Sequence, residues 1–154
     1  MYTSFLFKLM HRLLVTRERL HRTNSAASPR CKSLGCQAQV ENLEHALFQC
    51  PANKNVGKGV LHILCEHHPH ITAEAALRLD LVIQPDQELP VTWLLAATLL
   101  SVWNQRQSTQ KVQPYLVRAE LEAKVNLLRQ TRFEKEASTI SEQIQRMFRF
   151  IESC

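Results

Sequence analysis

The chain has 154 residues, of which 45% are hydrophobic, so it can bury the core of one domain, or of one domain with helical appendages. Only three Gly and six Pro are present, a composition that favours long helices over a sheet of many short strands. The five Cys are odd in number and unevenly spaced. This argues against a secreted disulfide framework and predicts an intracellular protein, nuclear or cytoplasmic.

The positive charge of the chain is concentrated in its N-terminal part. The formal net charge is +5. Residues 1–60 hold nine Lys and Arg against three acidic residues, which gives +6, whereas residues 61–154 hold ten against eleven, which gives −1. A basic half of this kind is typical of proteins that contact nucleic-acid phosphates. The alternative is a basic surface that serves only solubility.

Two basic amphipathic helices are predicted at the start of the chain. Residues 4–14 alternate apolar and basic positions with a helical period. Thr16 is predicted to cap a second helix, Arg17–Arg22, in which Leu20 faces inward. Basic side chains then continue up to the next motif, and they could contact phosphates without sequence preference or simply form a solvated face. The candidate nucleic-acid-binding residues are Arg17, Arg19, Arg22, Arg30 and Lys32.

Four residues of metal-binding type follow in a C-x4-C-x8-H-x4-C pattern, formed by Cys31, Cys36, His45 and Cys50. Structural zinc sites draw two ligands from a tight loop and two from a short helix. Gly35 lets the loop turn back before the second Cys. Val40–Phe48 is predicted to be the short helix, with His45 at its middle, and Pro51 ends it just after Cys50.

A structural Zn²⁺ is therefore the predicted cofactor. The alternative is three ordinary buried cysteines and a surface histidine. Since all four donors come from the protein, no coordination position is left for a catalytic water. Glu41 or Glu44 could hydrogen-bond the imidazole nitrogen of His45 that does not face the metal, although exposed helix carboxylates are the alternative.

The next segment contains two glycines and a group of histidines. Gly57 and Gly59 are predicted to loosen the start of a helix, Val60–His67, that has Cys65 among its apolar positions. The histidines do not have a zinc-ligand spacing, and Pro69 would break a helix that aligned them, so an exposed His-rich turn is predicted rather than a second metal site. These histidines are His62, His67, His68 and His70.

A short helix, a linker and a long apolar helix are predicted next. Thr72 caps the helix Ala73–Leu79, and Gln84–Leu89 is the linker. The apolar stretch 90–103 starts at Pro90 in the first helical turn. Its 14 residues are fewer than the roughly 17–25 that span a bilayer, so a buried helix and no membrane partner are predicted.

Both tryptophans lie on this apolar helix. Trp93 and Trp103 are predicted to anchor the core, and base stacking is the alternative. Two further helices, Pro114–Arg132 and Phe133–Glu152, have a helical apolar period and could form an antiparallel hairpin. An i,i+4 ion pair is predicted between Arg118 and Glu122.

The predicted fold is mainly α. It consists of a small Cys3His zinc knuckle packed with several helices, followed by a long helical hairpin. The predicted division is a zinc-binding domain with basic N-terminal helices over residues 1–70 and a helical C-terminal region over residues 71–154.

The run from HRLLVTRERLHR through the cysteine motif resembles the zinc-binding region at the C-terminal end of LINE-type (non-LTR) retrotransposon reverse transcriptases. Thr16, Arg17 and Leu20 match the family's "Leu-Pro-Thr-Arg-x-x-Leu" helix. A Cys pair and the family's "Glu-x-x-x-His-x-x-x-x-Cys-Pro" are matched by Cys31, Cys36, Glu41, His45, Cys50 and Pro51. The resemblance covers roughly residues 8–65 and extends more weakly over residues 117–132.

The resemblance implies a non-catalytic zinc module whose partners are an RNA or DNA backbone and the polymerase body of a parent reverse transcriptase. The sequence has no recognisable paired-aspartate polymerase motif and no endonuclease-like set of residues, so neither enzyme activity nor a small-molecule substrate is expected. The competing hypothesis is a helical protein-interaction domain in which zinc only staples the N-terminal third. The apolar helices of residues 90–151 motivate that alternative.

Overall fold

The computed structural model describes residues 2–33, 35–36, 40–67, 69–78, 85–109, 111–131 and 133–153. In these ranges the protein is mainly α, and a Cys3His cluster is packed among the helices, as the sequence predicts. The helices are α1 (Tyr2–Met10), α2 (Arg17–Thr23), a π-helix (His45–Gln49), α3 (Lys54–His67), α4 (Ala73–Arg78), α5 (Pro85–Thr109), α6 (Pro114–Arg129) and α7 (Glu134–Ser153).

Helix α1 is shorter than the apolar pattern suggests, whereas α2 is one residue longer than predicted. Helix α1 ends at Met10, and Arg12 has a φ of 53°, a left-handed conformation that turns the chain out of the helix. The predicted cap of α2 is confirmed, because the Arg19 N–H donates to Thr16 Oγ1 at 3.3 Å. Helix α2 buries none of its residues fully, and Leu20 is only half-buried. It is therefore a surface element.

Helix α3 begins at Lys54, six residues earlier than predicted, so Gly57 and Gly59 lie inside it. A Cβ at Gly57 would lie 2.9 Å from the Phe48 Cα atom, and a Cβ at Gly59 would lie 2.7 Å from Ile151 Cδ1. The two glycines permit close helix packing and do not loosen a helix start. Cys65, predicted among the apolar positions, is exposed.

Helix α5 also begins earlier than predicted. It starts at Pro85, so the predicted linker is wrong for residues 85–89, while its first residue, Gln84, lies outside the described residues. Pro90 lies inside the helix and leaves one carbonyl of the preceding turn without its usual partner. The preceding helix α4 has the predicted cap, since the Ala75 N–H donates to Thr72 Oγ1 at 3.1 Å. Its predicted last residue, Leu79, is outside the described residues.

The last two helices pack as the predicted antiparallel hairpin. Arg118 of α6 contacts Glu152 of α7 at 3.4 Å, and Arg129 of α6 contacts Ser141 at 3.1 Å. Helix α6 ends at Arg129, before the predicted Arg132, which lies outside the described residues. Helix α7 begins at Glu134, one residue after the predicted start. The predicted Arg118–Glu122 ion pair is confirmed at 2.9 Å.

One apolar core joins the N-terminal and C-terminal parts. It runs from Leu9 of α1 and Leu47 of the π-helix through Ile63 of α3 to Leu99 of α5 and Met147 of α7. The core crosses the predicted domain boundary at residue 70, and the division into two domains stays a prediction. Among the described residues, none of the helices combines the length and apolarity that crossing a bilayer requires.

Candidate metal centre

The first two cysteines lie on a loop that the backbone closes tightly. Arg30 and Val40 form an isolated antiparallel bridge, which holds the two arms of the loop together. Within the loop, the Cys36 N–H donates to the Ser33 carbonyl at 3.0 Å, and Gly35 has a φ of 80°. This is the value that the third position of a type II turn requires, so glycine is the favoured residue there. The turn brings Cys36 back towards Cys31.

The other two residues lie on a π-helix rather than on the predicted α-helix. Val40 belongs to the bridge, and His45 is the first residue of the π-helix rather than the middle of a helix spanning residues 40–48. Asn42 fixes its start by accepting the His45 N–H at 2.7 Å. The Cys50 N–H then donates to the His45 carbonyl at 2.8 Å, the i→i+5 bond of a π-helix. The wide turn places Cys50 one turn beyond His45, on the same side.

The structure brings the four predicted metal-ligating side chains together. Their donor atoms all lie within 4.8 Å of one another, and all four residues are buried. Cys31 Sγ lies 3.8 Å from Cys50 Sγ, which matches the roughly 3.8 Å between two sulfurs on a tetrahedral zinc with bonds of about 2.3 Å. Cys36 Sγ lies 3.2 Å from His45 Nε2, a few tenths of an ångström inside the corresponding distance of about 3.6 Å.

The pKa values of these groups are shifted by burial and by the neighbouring groups. Burial, followed by the neighbouring Cys50 and Cys31 thiols, raises the pKa of Cys36 to about 12. Burial and the charge of Arg106 lower the pKa of His45, so its imidazole is neutral at pH 7. Burial would raise the pKa of Cys50, but hydrogen bonds from the Ala52 N–H, Arg106 and Ser33 outweigh it and lower that pKa. Zn²⁺ prefers neutral imidazole and thiolate donors and displaces the thiol protons when it binds, so this buried donor set fits the ion, and Cys36 would release its proton as the ion binds.

A buried arginine from α5 lies directly behind the cysteines. The Arg106 guanidinium donates to Cys31 Sγ at 3.4 Å, to Asn53 Oδ1 at 3.2 Å and to Glu41 Oε2 at 2.7 Å. Only 8% of Arg106 is exposed. The sequence analysis missed this residue, because a contact across 75 positions leaves no local pattern. The available signal was that Arg106 is the only charged residue between Pro90 and Thr109.

The two glutamates beside His45 have partners other than its imidazole. Glu41 accepts from Arg106 and from the Arg17 N–H at 3.2 Å, and Glu44 accepts from Gln49 at 2.8 Å. Among the described contacts, neither carboxylate accepts a hydrogen bond from the ring of His45. Glu41 therefore supports the site through Arg106.

The five predicted nucleic-acid-binding residues do not form a single patch. Arg17 and Lys32 line one cleft beside the cysteine loop. Arg19 and Arg22 line a second cleft, where Arg22 pairs with Glu18 at 2.6 Å and Arg19 donates to a backbone carbonyl. Arg30 is exposed, and its backbone forms the bridge at the base of the loop.

The histidines of the α3 region do not form a second metal site in the part of the chain that the structure describes. The ring of His62 stacks on Phe150 with centroids 4.2 Å apart. Within the described ranges, the Cys3His group is the one cluster of three or more His, Cys, Asp or Glu close enough to hold a metal. His68 lies outside those ranges.

Residues 1–56 match the family model described as zinc-binding in reverse transcriptase. The matched segment contains all four residues of the Cys3His cluster, and together the match and the cluster support a zinc-binding module, which is a binding domain rather than a catalytic one. The match covers about a third of the chain. No curated protein and no solved structure matches the chain significantly.

Proposed function

We propose that this protein is a non-catalytic zinc module of a LINE-type reverse transcriptase-like protein, and that it contacts the backbone of RNA or DNA. The single observation that carries the metal part is the buried Cys3His cluster with donors within 4.8 Å of one another. The zinc ligands are Cys31, Cys36, His45 and Cys50. Four protein donors close the coordination sphere, so the ion holds the loop to the π-helix and does not activate water.

The surroundings of the cluster support this assignment electrostatically. A Zn²⁺ with three thiolates and one neutral imidazole has a net charge of −1, and burying that charge without compensation is costly. Arg106 supplies the opposite charge at 3.4 Å from Cys31 Sγ. Glu41 and Asn53 in turn hold the guanidinium in place, as outer hydrogen bonds do in zinc sites.

Contact with nucleic acid is supported by the charge distribution. The net charge of +6 over residues 1–60 coincides with the matched zinc-binding segment. Lys and Arg neutralise phosphates and release counterions, so the affinity should fall steeply with salt.

Metal analysis of the purified protein and its Cys50→Ser variant tests the metal assignment. About one zinc per chain is expected in the parent, as in a single four-ligand site, and a loss of most of it in the variant. The exposed Cys65 provides the matched control, since Cys65→Ser should retain the metal. A parent protein that binds no zinc, or a Cys50→Ser variant that binds as much, would overturn the assignment.

Titration of RNA and DNA oligonucleotides at several salt concentrations tests the binding proposal. The dissociation constant should rise steeply with salt, with a logarithmic slope that counts the phosphates contacted. An affinity independent of salt, or no binding at low salt, would contradict it.

A second candidate function is docking onto another protein, such as the polymerase body of a parent reverse transcriptase. It is favoured by apolar side chains that α6 exposes, since 66% of Tyr115 and 64% of Leu127 are accessible. Exposed apolar residues mark an interaction surface where they belong to one contiguous patch, which is what this candidate function requires of α6. A stable complex that is lost in the Tyr115→Ser, Leu127→Ser double variant, with no nucleic acid bound, would select this function.

A further inference from the structure

We infer that the cleft beside the zinc loop binds unpaired nucleotides, with a base stacked on Trp103 and phosphates held by Lys8, Arg17 and Lys32. This inference rests on the proposed nucleic-acid binding. It specifies where the nucleic acid binds, that single strands are preferred, and which residues contact them. It also divides the basic residues into those that contact the ligand and those that do not.

The cleft is formed where four segments meet. Lys8 comes from α1, Arg17 from the start of α2, Lys32 from the cysteine loop and Trp103 from the last turns of α5. Its volume is about 440 Å³, within the range of sites that hold small ligands. A neighbouring hollow of about 460 Å³ shares Lys8, Leu14 and Trp103 with it. The two hollows lie side by side along these shared residues, and together they are called the groove.

The cleft has an excess of positive charge that the protein does not neutralise. Among the described residues, no ion pair involves the side chains of Lys8, Arg17 or Lys32, and the acidic residue in the lining, Glu41, is already paired with Arg106 at 2.7 Å. Even with the charge of −1 on the zinc cluster counted, the cleft keeps an excess of two positive charges, which favours a polyanion.

The second cleft is a natural comparison, because its lining contains three basic residues against four in the first. Its lining contains three acidic residues as well, which cancel the charge of the three arginines. Arg22 is paired with Glu18, and Arg12 with Glu74 at 3.1 Å. Although this cleft is larger, at about 640 Å³, its charge does not favour phosphate.

Trp103 supplies the contact that distinguishes single strands from duplexes. It is half-buried, packs against the apolar core and lines both hollows of the groove. Stacking of a base on an aromatic ring stabilises single-strand binding with little sequence preference. Bases in a duplex are already stacked on each other. The phosphates of a duplex could therefore contact the basic side chains, but its bases could not stack on the Trp103 indole.

Tryptophan fluorescence tests this contact directly, since the chain has two tryptophans. The zinc-loaded full chain is titrated with a single-stranded RNA of about ten nucleotides, a length in the range of single-strand sites. In Trp93→Phe, which keeps Trp103, binding should quench the fluorescence strongly. In Trp103→Phe, which keeps Trp93, binding should leave it nearly unchanged. Equal quenching in the two variants, or binding without quenching in Trp93→Phe, would overturn the inference.

Affinity measurements add a second test. Trp103→Leu should weaken single-strand binding about fivefold or more and leave duplex binding nearly unchanged, because only the single strand loses a stacked base. The Trp93→Leu variant, also on α5, is the matched control, and each variant is compared by zinc content and helicity to verify folding. An equal loss for single strand and duplex would contradict the stacking contact.

A pair of triple variants with the same change in charge tests the cations. Replacing Lys8, Arg17 and Lys32 by Gln should lower the salt slope for single-stranded RNA by about 2, since each such contact contributes about 0.7. Replacing Arg19, Arg22 and Arg30 by Gln should change it much less. If the second triple variant lowers the salt slope as much as the first, the groove is not the binding site.

The outcomes separate the inference from the proposed function. If the unmodified protein binds no nucleic acid, the proposed function fails. If it binds with a steep salt dependence, but the two triple variants behave alike and Trp103 is not quenched, only the location in this cleft is wrong.

Discussion

The cysteine loop with its π-helix and the α6–α7 hairpin are held together by different forces. The first region consists of a turn, an isolated bridge and a five-residue π-helix, and its cysteines form a small cluster packed against Ala52. The hairpin consists of helices of 16 and 20 residues whose buried positions, such as Leu121 and Ile144, recur with a helical period. One region depends on four donor atoms and an ion, whereas the other depends on apolar area.

This difference predicts how each region responds to its surroundings. A metal site is sensitive to chelators, pH and the removal of a single ligand, because each donor must be present and deprotonated. A helical hairpin packed by many apolar contacts loses stability gradually with each substitution. Helix α3 lies between the two regions, since Gly57 packs on Phe48 of the π-helix and Gly59 packs on Ile151 of α7.

Removal of zinc should have the largest effect and should separate the two regions. Binding of structural zinc contributes roughly 10–16 kcal/mol in apparent terms in zinc-finger peptides. With a strong chelator, residues 29–53 should open more often and show weaker amide protection in hydrogen exchange, while α6 and α7 retain theirs. Simultaneous loss of protection in the hairpin would show instead that the two regions fold as one unit.

Arg106→Ala should cause the largest loss of stability among the non-ligand variants. Without the guanidinium, Glu41 and the negative cluster are buried with no opposite charge, which costs about 3–5 kcal/mol. Urea unfolding of the zinc-loaded protein measures this loss. Arg106→Lys keeps the charge but not the hydrogen bonds to all three partners. Its free energy of unfolding should therefore lie between those of the parent protein and Arg106→Ala.

The half-exposed Arg118 provides the matched control for this prediction. Its ion pairs with Glu122 and Glu152 are solvent-accessible, so Arg118→Ala should cost at most about 1 kcal/mol. A loss at Arg106 no greater than that at Arg118 would contradict the buried role of Arg106.

Gly57→Ala should destabilise the protein more than Gly59→Ala. At Gly57 the added methyl meets the backbone of Phe48 at 2.9 Å, which cannot move aside without shifting the π-helix. At Gly59 it meets the side chains of Ile151 and Met147, which can repack. Overpacking costs about 1–3 kcal/mol, and the better helix propensity of Ala offsets about 1 kcal/mol of it. Thermal unfolding of both variants gives the order, and the reverse order would contradict it.

The smallest expected effect is the pH dependence of the metal-free protein. His45 has a lowered pKa, so the unfolded chain binds more protons as pH falls through about 6.5, and stability falls with it. Cys50, whose pKa is also lowered, acts in the same direction. Cys36 has the opposite sign, because the folded protein keeps its proton between pH 9.0 and about 12 and stability falls as pH rises through that range.

Melting temperatures measured against pH with and without zinc check this dependence. The alkaline loss should disappear in the zinc-loaded protein, because the metal replaces the proton of Cys36. An alkaline loss of equal size in both forms would contradict the assignment of Cys36 as a ligand.

The sequence predicted features that depend on local patterns. The spacing of Cys31, Cys36, His45 and Cys50 identified residues that the structure places together, and the caps Thr16 and Thr72 follow from the chemistry of hydroxyl side chains at helix starts. The apolar period of the last two helices predicted the hairpin. In each case the signal lies within a few turns of chain.

The features that were missed depend on distant contacts or unusual backbone. Gly57 and Gly59 have a packing role only because Phe48 and Ile151 lie against them. The π-helix cannot be read from residue types, because its wide turn results from the constraints at both of its ends. Pro90 was expected to start a helix, but the helix begins one turn earlier, at Pro85.

The position of Arg106 has a consequence for any attempt to graft the zinc-binding segment onto another protein. A graft of residues 1–56 onto another scaffold would carry every metal donor together with Glu41 and Asn53. The graft would lack the guanidinium that balances the negative charge of Glu41 and the zinc cluster. That group belongs to Arg106 of α5, about fifty residues after the end of the segment. A portable version of the module would therefore need α5, or a substitute cation built into its host.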